Sequence, residues 1–394
     1  MSLPLLIFYG IGTILGAGIY VLIGKVAGEA GSFAPFSFVF ASLLAGFSAF
    51  SYAELAARFP RSAGEAIYIE EGFGIQKLSL VVGLMIVLVG IVSTATLAHG
   101  FIGYLNVFIS FSQPVVITVL IISLGLICAW GIGPSVMIAS IMTVVEIIGL
   151  LIIIYIGRHS FALLPEQLPA LTPSFDVSIW AGIVMGSFIA FYAFLGFEDI
   201  VNVAEETINP RLNIPLAIII SLLITTIFYV LISVVTILLL SADELSASDA
   251  PLSLLYEKTT GQSPVVITLI SLVSVINGAL IQVIMASRVL YGMSRKQWLP
   301  ENLGAVNAIT HTPVIAIAVV TITVLVFSLL LPLLSLAKIT SFITLIIFML
   351  INFALINIKY SKRAHRGFTV PFWVPLTGGV STLLFILYLI VTLF

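Results

Sequence analysis

Two glycine-bearing interruptions sit inside long apolar stretches of this chain. The first reads Gly10-Ile11-Gly12-Thr13-Ile14-Leu15-Gly16-Ala17-Gly18-Ile19-Tyr20, and the second reads Phe191-Tyr192-Ala193-Phe194-Leu195-Gly196-Phe197-Glu198-Asp199. Gly16 and Gly18 lack a Cβ and permit non-helical backbone. Unwinding there frees amide N–H groups, and the following half-helix presents its positive N-terminus, so the pair suits a carboxylate without any arginine. At the second interruption, Gly196 lies among Phe194, Leu195 and Phe197, and freed carbonyls before it suit an ammonium group. Glu198 and Asp199 come next, where acids either cap the following half-helix or face the ligand. Plain alternatives stand beside these readings. Gly12, Gly16 and Gly18 also suit close helix packing, and the aromatics suit a core as well as a gate or a side-chain pocket.

Glu146 stands alone in Met142-Thr143-Val144-Val145-Glu146-Ile147-Ile148-Gly149. An acid inside a membrane is expensive and points to function by default. The neutral form is the one expected there, so Glu146 is a candidate proton carrier, with Asn277 as its candidate partner. The competing role is a structural hydrogen bond to a neighbouring helix. Glu54 is expected to pair with Arg58, and His99 to be a satisfied packing group. No pattern suggests a metal, a nucleotide or a cofactor.

Such residues need elements that hold them in a bilayer. The chain has 394 residues, 61% hydrophobic and 8% charged. Soluble proteins carry roughly 25% charged residues, so the composition describes an all-α integral membrane protein. A net charge of −2 argues against nucleic acid, and the single Cys128 leaves no disulfide framework. No cleavable signal peptide is evident. Taking about 20 apolar residues per span, eleven helices are expected at roughly 4–27, 34–57, 77–105, 114–131, 134–157, 178–204, 212–240, 264–292, 313–331, 335–357 and 371–394. The two longer loops, about 158–177 and 241–263, are where short extramembrane helices are expected, with Ser241-Ala242-Asp243-Glu244 as a capped start.

With the N-terminus inside, the inner loops and helix ends carry Arg58, Arg61, Lys77, Arg211, Arg288, Arg295, Lys296, Lys359, Lys362, Arg363 and Arg366. The outer ones carry Lys25, Arg158, Lys258 and Lys338. That bias orients the N-terminus to the cytoplasm. The two breaks then enter from opposite sides, as an inverted repeat of helices 1–5 and 6–10 requires, and paired broken helices point to a transporter binding site.

The Gly-Ala-Gly-Ile-Tyr and Phe-Leu-Gly-Phe-Glu-Asp runs resemble the first- and sixth-helix motifs of the amino acid–polyamine–organocation (APC) superfamily, and within it the bacterial amino acid permeases. Three more stretches are similar to the family: Phe59-Pro60-Arg61-Ser62-Ala63-Gly64, Asn202-Val203-Ala204-Glu205-Glu206-Thr207 with Asn209-Pro210-Arg211, and Arg288-Val289-Leu290-Tyr291-Gly292 with Leu299-Pro300. The resemblance implies a LeuT-type 5+5 inverted repeat with broken helices 1 and 6. The transport core is then 1–357, with repeats about 4–157 and 178–357, followed by a cytoplasmic loop and an eleventh helix over 358–394. It implies a substrate carboxylate on N–H groups around Leu15, Gly16, Ala17 and Gly18. It also implies an α-amino group on carbonyls around Ile14, Phe191, Tyr192 and Phe194. Proton-coupled relatives often carry a lysine where Glu146 stands, in place of a bound sodium ion, and Glu146 departs from that pattern. The family's usual N-terminal tail and twelfth helix also have no counterpart in this sequence.

The resulting expectation is alternating-access transport of neutral or apolar amino acids across the cytoplasmic membrane, with a proton as coupling ion. The alternative is exchange or uniport, cationic substrates included, with Glu146 structural. A channel would favour a continuous polar stripe, and an intramembrane enzyme would need a clustered catalytic set that the sequence does not show.

Overall fold

The computed structural model describes residues 1–61, 64–361 and 367–393, with 17, 132–138, 140, 170 and 393 described by backbone alone. Ser62 and Ala63 of the first loop motif, and Lys362, Arg363 and Arg366 of the expected inner charges, lie outside the described residues.

The helices are α1 (Leu3–Ala30), α2 (Ala34–Arg58), α3 (Gly64–Phe73), α4 (Gln76–Leu105), α5 (Gln113–Trp130), α6 (Ile132–Gly157), α7 (Leu164–Leu171) and α8 (Val177–Phe191). They continue with α9 (Pro210–Leu239), α10 (Ala242–Ala247), α11 (Pro251–Thr260), α12 (Val265–Arg295), α13 (Val314–Leu330), α14 (Leu333–Tyr360) and α15 (Trp373–Leu393). Among the described residues there is no strand. Among the described residues nine apolar stretches are long enough to cross a membrane; the first holds both α1 and α2, and the 17-residue α13 adds one more, so eleven crossings result there. Their ends fall within three residues of the sequence expectation, apart from the interior of the sixth. Prolines at the first turns of α1, α2, α5, α9 and α11 suit positions whose N–H has no helical partner.

Two differences concern the sixth crossing and the first connection. After α8 the chain makes a short 3₁₀ turn (Tyr192–Phe194), becomes extended at Leu195, and continues as a 3₁₀ stretch over Glu198–Glu206 rather than as an α-helix. The connection after α2 holds a helix that the sequence reading does not contain, α3. Its buried face includes Ala66, Ile67 and Ile69, and it packs on α4 and α14. Its ten residues are too few to register as a span.

α1, α2, α8 and α9 pack on one another as a bundle. α4 packs on α12, α13 and α14 as a second layer, and α6 touches both groups through α1 and α12. α15 lies on α14 and α2. Large apolar side chains remain exposed on outer faces, among them Leu126 and Trp130 of α5, Leu223 of α9 and Leu384 of α15, as lipid contact requires.

On the face away from Met1, α10 and α11 cover the outer half of α1. A Cβ on Gly24 would lie 2.3 Å from the Leu245 carbonyl oxygen, and one on Gly103 2.3 Å from that of Asp249. Lys25 donates to the Ser246 carbonyl at 3.0 Å. The expected capping box at Ser241 and Glu244 is present. Lys258 bonds the Glu244 carboxylate, and this bond with those from Ser241 holds that carboxyl down at about 2. The face carrying Met1 is instead entered by a cavity of about 560 Å³.

Candidate substrate site

The first break is local to Gly16, whose backbone leaves helical values (φ 6°, ψ −160°) inside the otherwise helical α1. Its flank is open: a Cβ there would meet only the Gly278 Cα of α12, at 3.8 Å. The other expected glycines are tightly packed. A Cβ on Gly18 would lie 2.6 Å from Ala193 Cα, and one on Gly12 2.0 Å from the Thr143 hydroxyl. Close packing therefore accounts for Gly12 and Gly18, while Gly16 carries the opening.

The second break turns on Gly196, at φ +121°, where other residues are strained. A Cβ there would also meet the Thr13 carbonyl oxygen at 2.3 Å. The two breaks thus touch directly, Gly18 on Ala193 and Gly196 on Thr13. Tyr229 of α9 joins them: its hydroxyl lies 2.7 Å from the Ile14 carbonyl, 3.3 Å from that of Leu15 and 2.8 Å from that of Ala193. One phenolic proton is shared among carbonyls that the unwinding freed. Tyr229 is absent from the sequence-based site, since a tyrosine within a spanning helix has no local signal of its partner.

The aromatics of the second break are buried. Phe194 packs on Tyr229 at 5.1 Å between ring centroids, and Phe191 on Phe348 at 5.6 Å. Phe197 packs on Tyr52 and Phe348 at 5.6 and 5.2 Å. Tyr192 turns to α4, its hydroxyl 2.8 Å from that of Ser93. Leu15, Phe191 and Phe194 are fully buried, and Ile14 nearly so. The expected carbonyl and N–H positions at residues 14–18 and 191–196 are therefore together. Glu198 caps its own break, its Oε2 accepting the Gly196 N–H at 2.9 Å.

Glu146 is fully buried, and its Oε1 accepts from Asn277 Nδ2 at 2.8 Å, the partner expected from sequence. Its Oε2 and the Asn277 carbonyl oxygen have no partner among the described residues. The Glu146 backbone carbonyl accepts from Tyr20 of α1, and the Tyr20 carbonyl accepts from Tyr104 of α4. Asn277 and Gly278 are consecutive, so the carboxyl contact and the open flank of Gly16 share one turn of α12. A second amide in that helix, Gln282, escapes the sequence reading; its Nε2 meets Asp199 Oδ2 at 3.4 Å. His99 bonds the Ser328 carbonyl at 2.9 Å, as a packing group does. Among the described residues no group of His, Cys, Asp and Glu could hold a metal.

The 560 Å³ cavity reaches from the Met1 face to Asp199 and Asn202, with Tyr9, Met285 and Arg288 on its walls. Arg288 meets Glu206 at 3.8 Å.

Known proteins resemble this chain in sequence or in fold. The chain is similar to the branched-chain amino acid permease BcaP of Bacillus subtilis (strain 168), 29% identical over 98% of this chain and 86% of that protein. It is similar to the mitochondrial cationic amino acid transporter 3 of Arabidopsis thaliana, 28% identical over 97% of this chain and 68% of that protein. The solved structure of MhsT in complex with L-phenylalanine superposes with a TM-score of 0.67 at 13% identity, covering 99% of this chain and 98% of that one. That likeness shows the LeuT-type fold. The sequence profile described as amino acid permease matches residues 2–394. A full-length profile match on a LeuT-type fold whose two breaks meet places this chain in the amino acid permease family of the APC superfamily, a family of multi-pass membrane transporters rather than enzymes.

Proposed function

We propose that this permease is a secondary active transporter of neutral or apolar amino acids, working by alternating access in the cytoplasmic membrane with its N-terminus inside. The substrate carboxylate meets backbone N–H groups of Leu15, Gly16, Ala17 and Gly18. Its ammonium meets carbonyls near Ile14, Phe191, Tyr192 and Phe194, at the Gly196 break. The transport core is 1–357, formed by the repeats 4–157 and 178–357. The observation that carries this reading is the opening at Gly16, which faces Gly278 while both breaks touch beside it. Among the described residues no Lys or Arg side chain comes within 4 Å of a Cβ placed on Gly16, and the nearby Glu146 is tied to Asn277. This favours a substrate without a charged side chain, a contrast with the name of the Arabidopsis relative. The cavity on the Met1 face supports an inward-facing state, given the bias of Lys and Arg toward that face.

Proton coupling is assigned to Glu146 with Asn277. The neutral acid keeps the contact with α12, and release of the proton leaves a charge in an apolar site, which loosens α6 from α12 beside Gly278. Counterflow of labelled amino acids into proteoliposomes tests the whole reading. Exchange restricted to neutral, apolar substrates is expected. Exchange of lysine or arginine in preference would overturn the substrate class, and no exchange of any amino acid would overturn transport itself.

A further inference from the structure

Three carboxylates lie where the start of α3 packs on the sixth crossing, away from Glu146, and Asp199 among them lines the 560 Å³ cavity, the vestibule of the Met1 face. Glu65 opens α3 and is 2% exposed; Asp199 is 3% exposed; Glu198 precedes it. The first turn of α3 lies directly on the 198–206 stretch, since a Cβ on Gly64 would sit 2.4 Å from Val201 Cγ2 and 2.9 Å from the Tyr68 hydroxyl. The surroundings are polar and incompletely paired. Tyr52 and Tyr68 are fully buried, 6.2 Å apart between ring centroids, and neither hydroxyl has a partner among the described residues. Gln282, 8% exposed, gives its N–H to Asp199, while its Oε1 and both amide atoms of Asn202 are unpartnered there.

No ion pair among the described residues neutralises these acids. The basic groups near them hold other carboxylates: Arg288 meets Glu206, Lys296 meets Glu70, and Arg58 meets Glu54. The titratable and charged groups facing the cluster are Tyr9 from α1, Tyr52 from α2, Tyr68 from α3, Glu206 from the 3₁₀ stretch, Arg288 from α12 and Lys296 just after it. α14 offers Phe348 there. Two buried carboxylates with the half-buried Glu198 beside them, none of them in an ion pair among the described residues, disfavour full ionisation, because each charge is desolvated and repels the others. Burial pushes the Glu65 carboxyl up to about 8. Asp199 lines the 560 Å³ cavity, and Glu65 lines a smaller one that shares Val289, Gly292 and Lys296 with it.

We propose that Glu65, Glu198 and Asp199 form a second proton-binding site, in which shared protons hold the 198–206 stretch against α3 and the vestibule supplies and removes them. The three acids titrate as a unit. Loss of protons sets like charges against each other across the contact of α3 with the sixth crossing, so occupancy of the site favours that contact. The site stands apart from Glu146 and does not depend on which amino acid is carried.

Infrared difference spectroscopy of the full chain in detergent, without substrate, reads the carbonyl stretch of protonated carboxyl groups. Raising the pH from about 5 to about 9 is expected to remove part of that band. Glu65→Gln and Asp199→Asn should each delete part of this pH-dependent signal, and Glu146→Gln should leave that part in place. Gln282→Leu keeps every carboxyl but removes a donor to Asp199, so the titration midpoint should rise by about half a pH unit or more; this variant serves where Asp199→Asn does not fold. A pH-dependent band identical to wild type in Glu65→Gln and Gln282→Leu would overturn the proposal. So would a band that sodium removes at fixed pH, which would make the cluster a metal-cation holder. Counterflow assays remain the separate test of transport.

Discussion

At the scale of single residues, the glycines of the first break divide by what surrounds them. Gly18 is pressed against Ala193 backbone, so Gly18→Ala should destabilise the protein by about 1–3 kcal/mol through overpacking, seen as a lower unfolding temperature in detergent. Gly16→Ala meets only Gly278 Cα at 3.8 Å. That variant should keep the wild-type unfolding temperature and weaken substrate binding about tenfold, or roughly 1.4 kcal/mol. Unchanged affinity in a stable Gly16→Ala protein would move the carboxylate site elsewhere. Tyr229→Phe removes the hydroxyl that bridges the carbonyls of Ile14 and Ala193. It should cost about 1–2 kcal/mol of stability, measurable in the same melts, with less cost if water replaces the hydroxyl. Glu146→Gln retains an acceptor for Asn277 but cannot titrate. It should bind and exchange substrate yet fail to concentrate it under an imposed pH gradient in proteoliposomes; accumulation driven by the gradient would make Glu146 structural.

At the scale of elements, α3 shows how a short helix between two crossings acquires a role through its neighbours. Its Glu65 keeps a proton up to about 8, against an ordinary value of 4.5. The unfolded chain releases that proton near the lower value. Between the two, the folded state binds more protons, so stability falls as pH rises. The slope from one such group reaches at most about 1.4 kcal/mol per pH unit. Glu65→Gln should flatten the pH dependence of stability across that window, compared with wild type in denaturation series at several pH values. An unaltered slope would mean that Glu65 is ionised in the folded state.

At the scale of the whole molecule, one buried carboxylate ties distant parts of the chain together. Glu54 on α2 accepts Arg58 Nη2 at 2.6 Å, Lys359 Nζ of α14 at 2.6 Å, and the Val370 N–H ahead of α15 at 2.8 Å. The sequence expectation contains the Arg58 pair alone. Glu54→Ala would strand two largely buried cations, and a loss of about 3–5 kcal/mol is expected, with α15 loosening first. Limited proteolysis of the 361–372 connection would report that loosening; resistance equal to wild type would show that α15 is held by its apolar contacts.

Membrane spans, two breaks, the Ser241 capping box and the Glu146–Asn277 pair were legible in the sequence by itself. Each depends on a local property: an apolar run long enough to cross, a missing Cβ, a three-residue spacing, or a lone polar group with few possible partners. Tertiary structure alone decided which glycine opens and which merely packs: Gly16 leaves helical values and faces Gly278 of α12, while Gly18 stays in the helix against Ala193 of the second break. It alone brought Tyr229 to the freed carbonyls, Gln282 to Asp199, 83 residues away, and Glu65 beside the stretch that begins at Glu198, 133 residues away (198 − 65). The 3₁₀ form of Glu198–Glu206 has the same origin. Acids that would cap an ordinary α-helix are held there by the Gly196 N–H and by α12, and such partners, distant in sequence, leave no periodic trace in it.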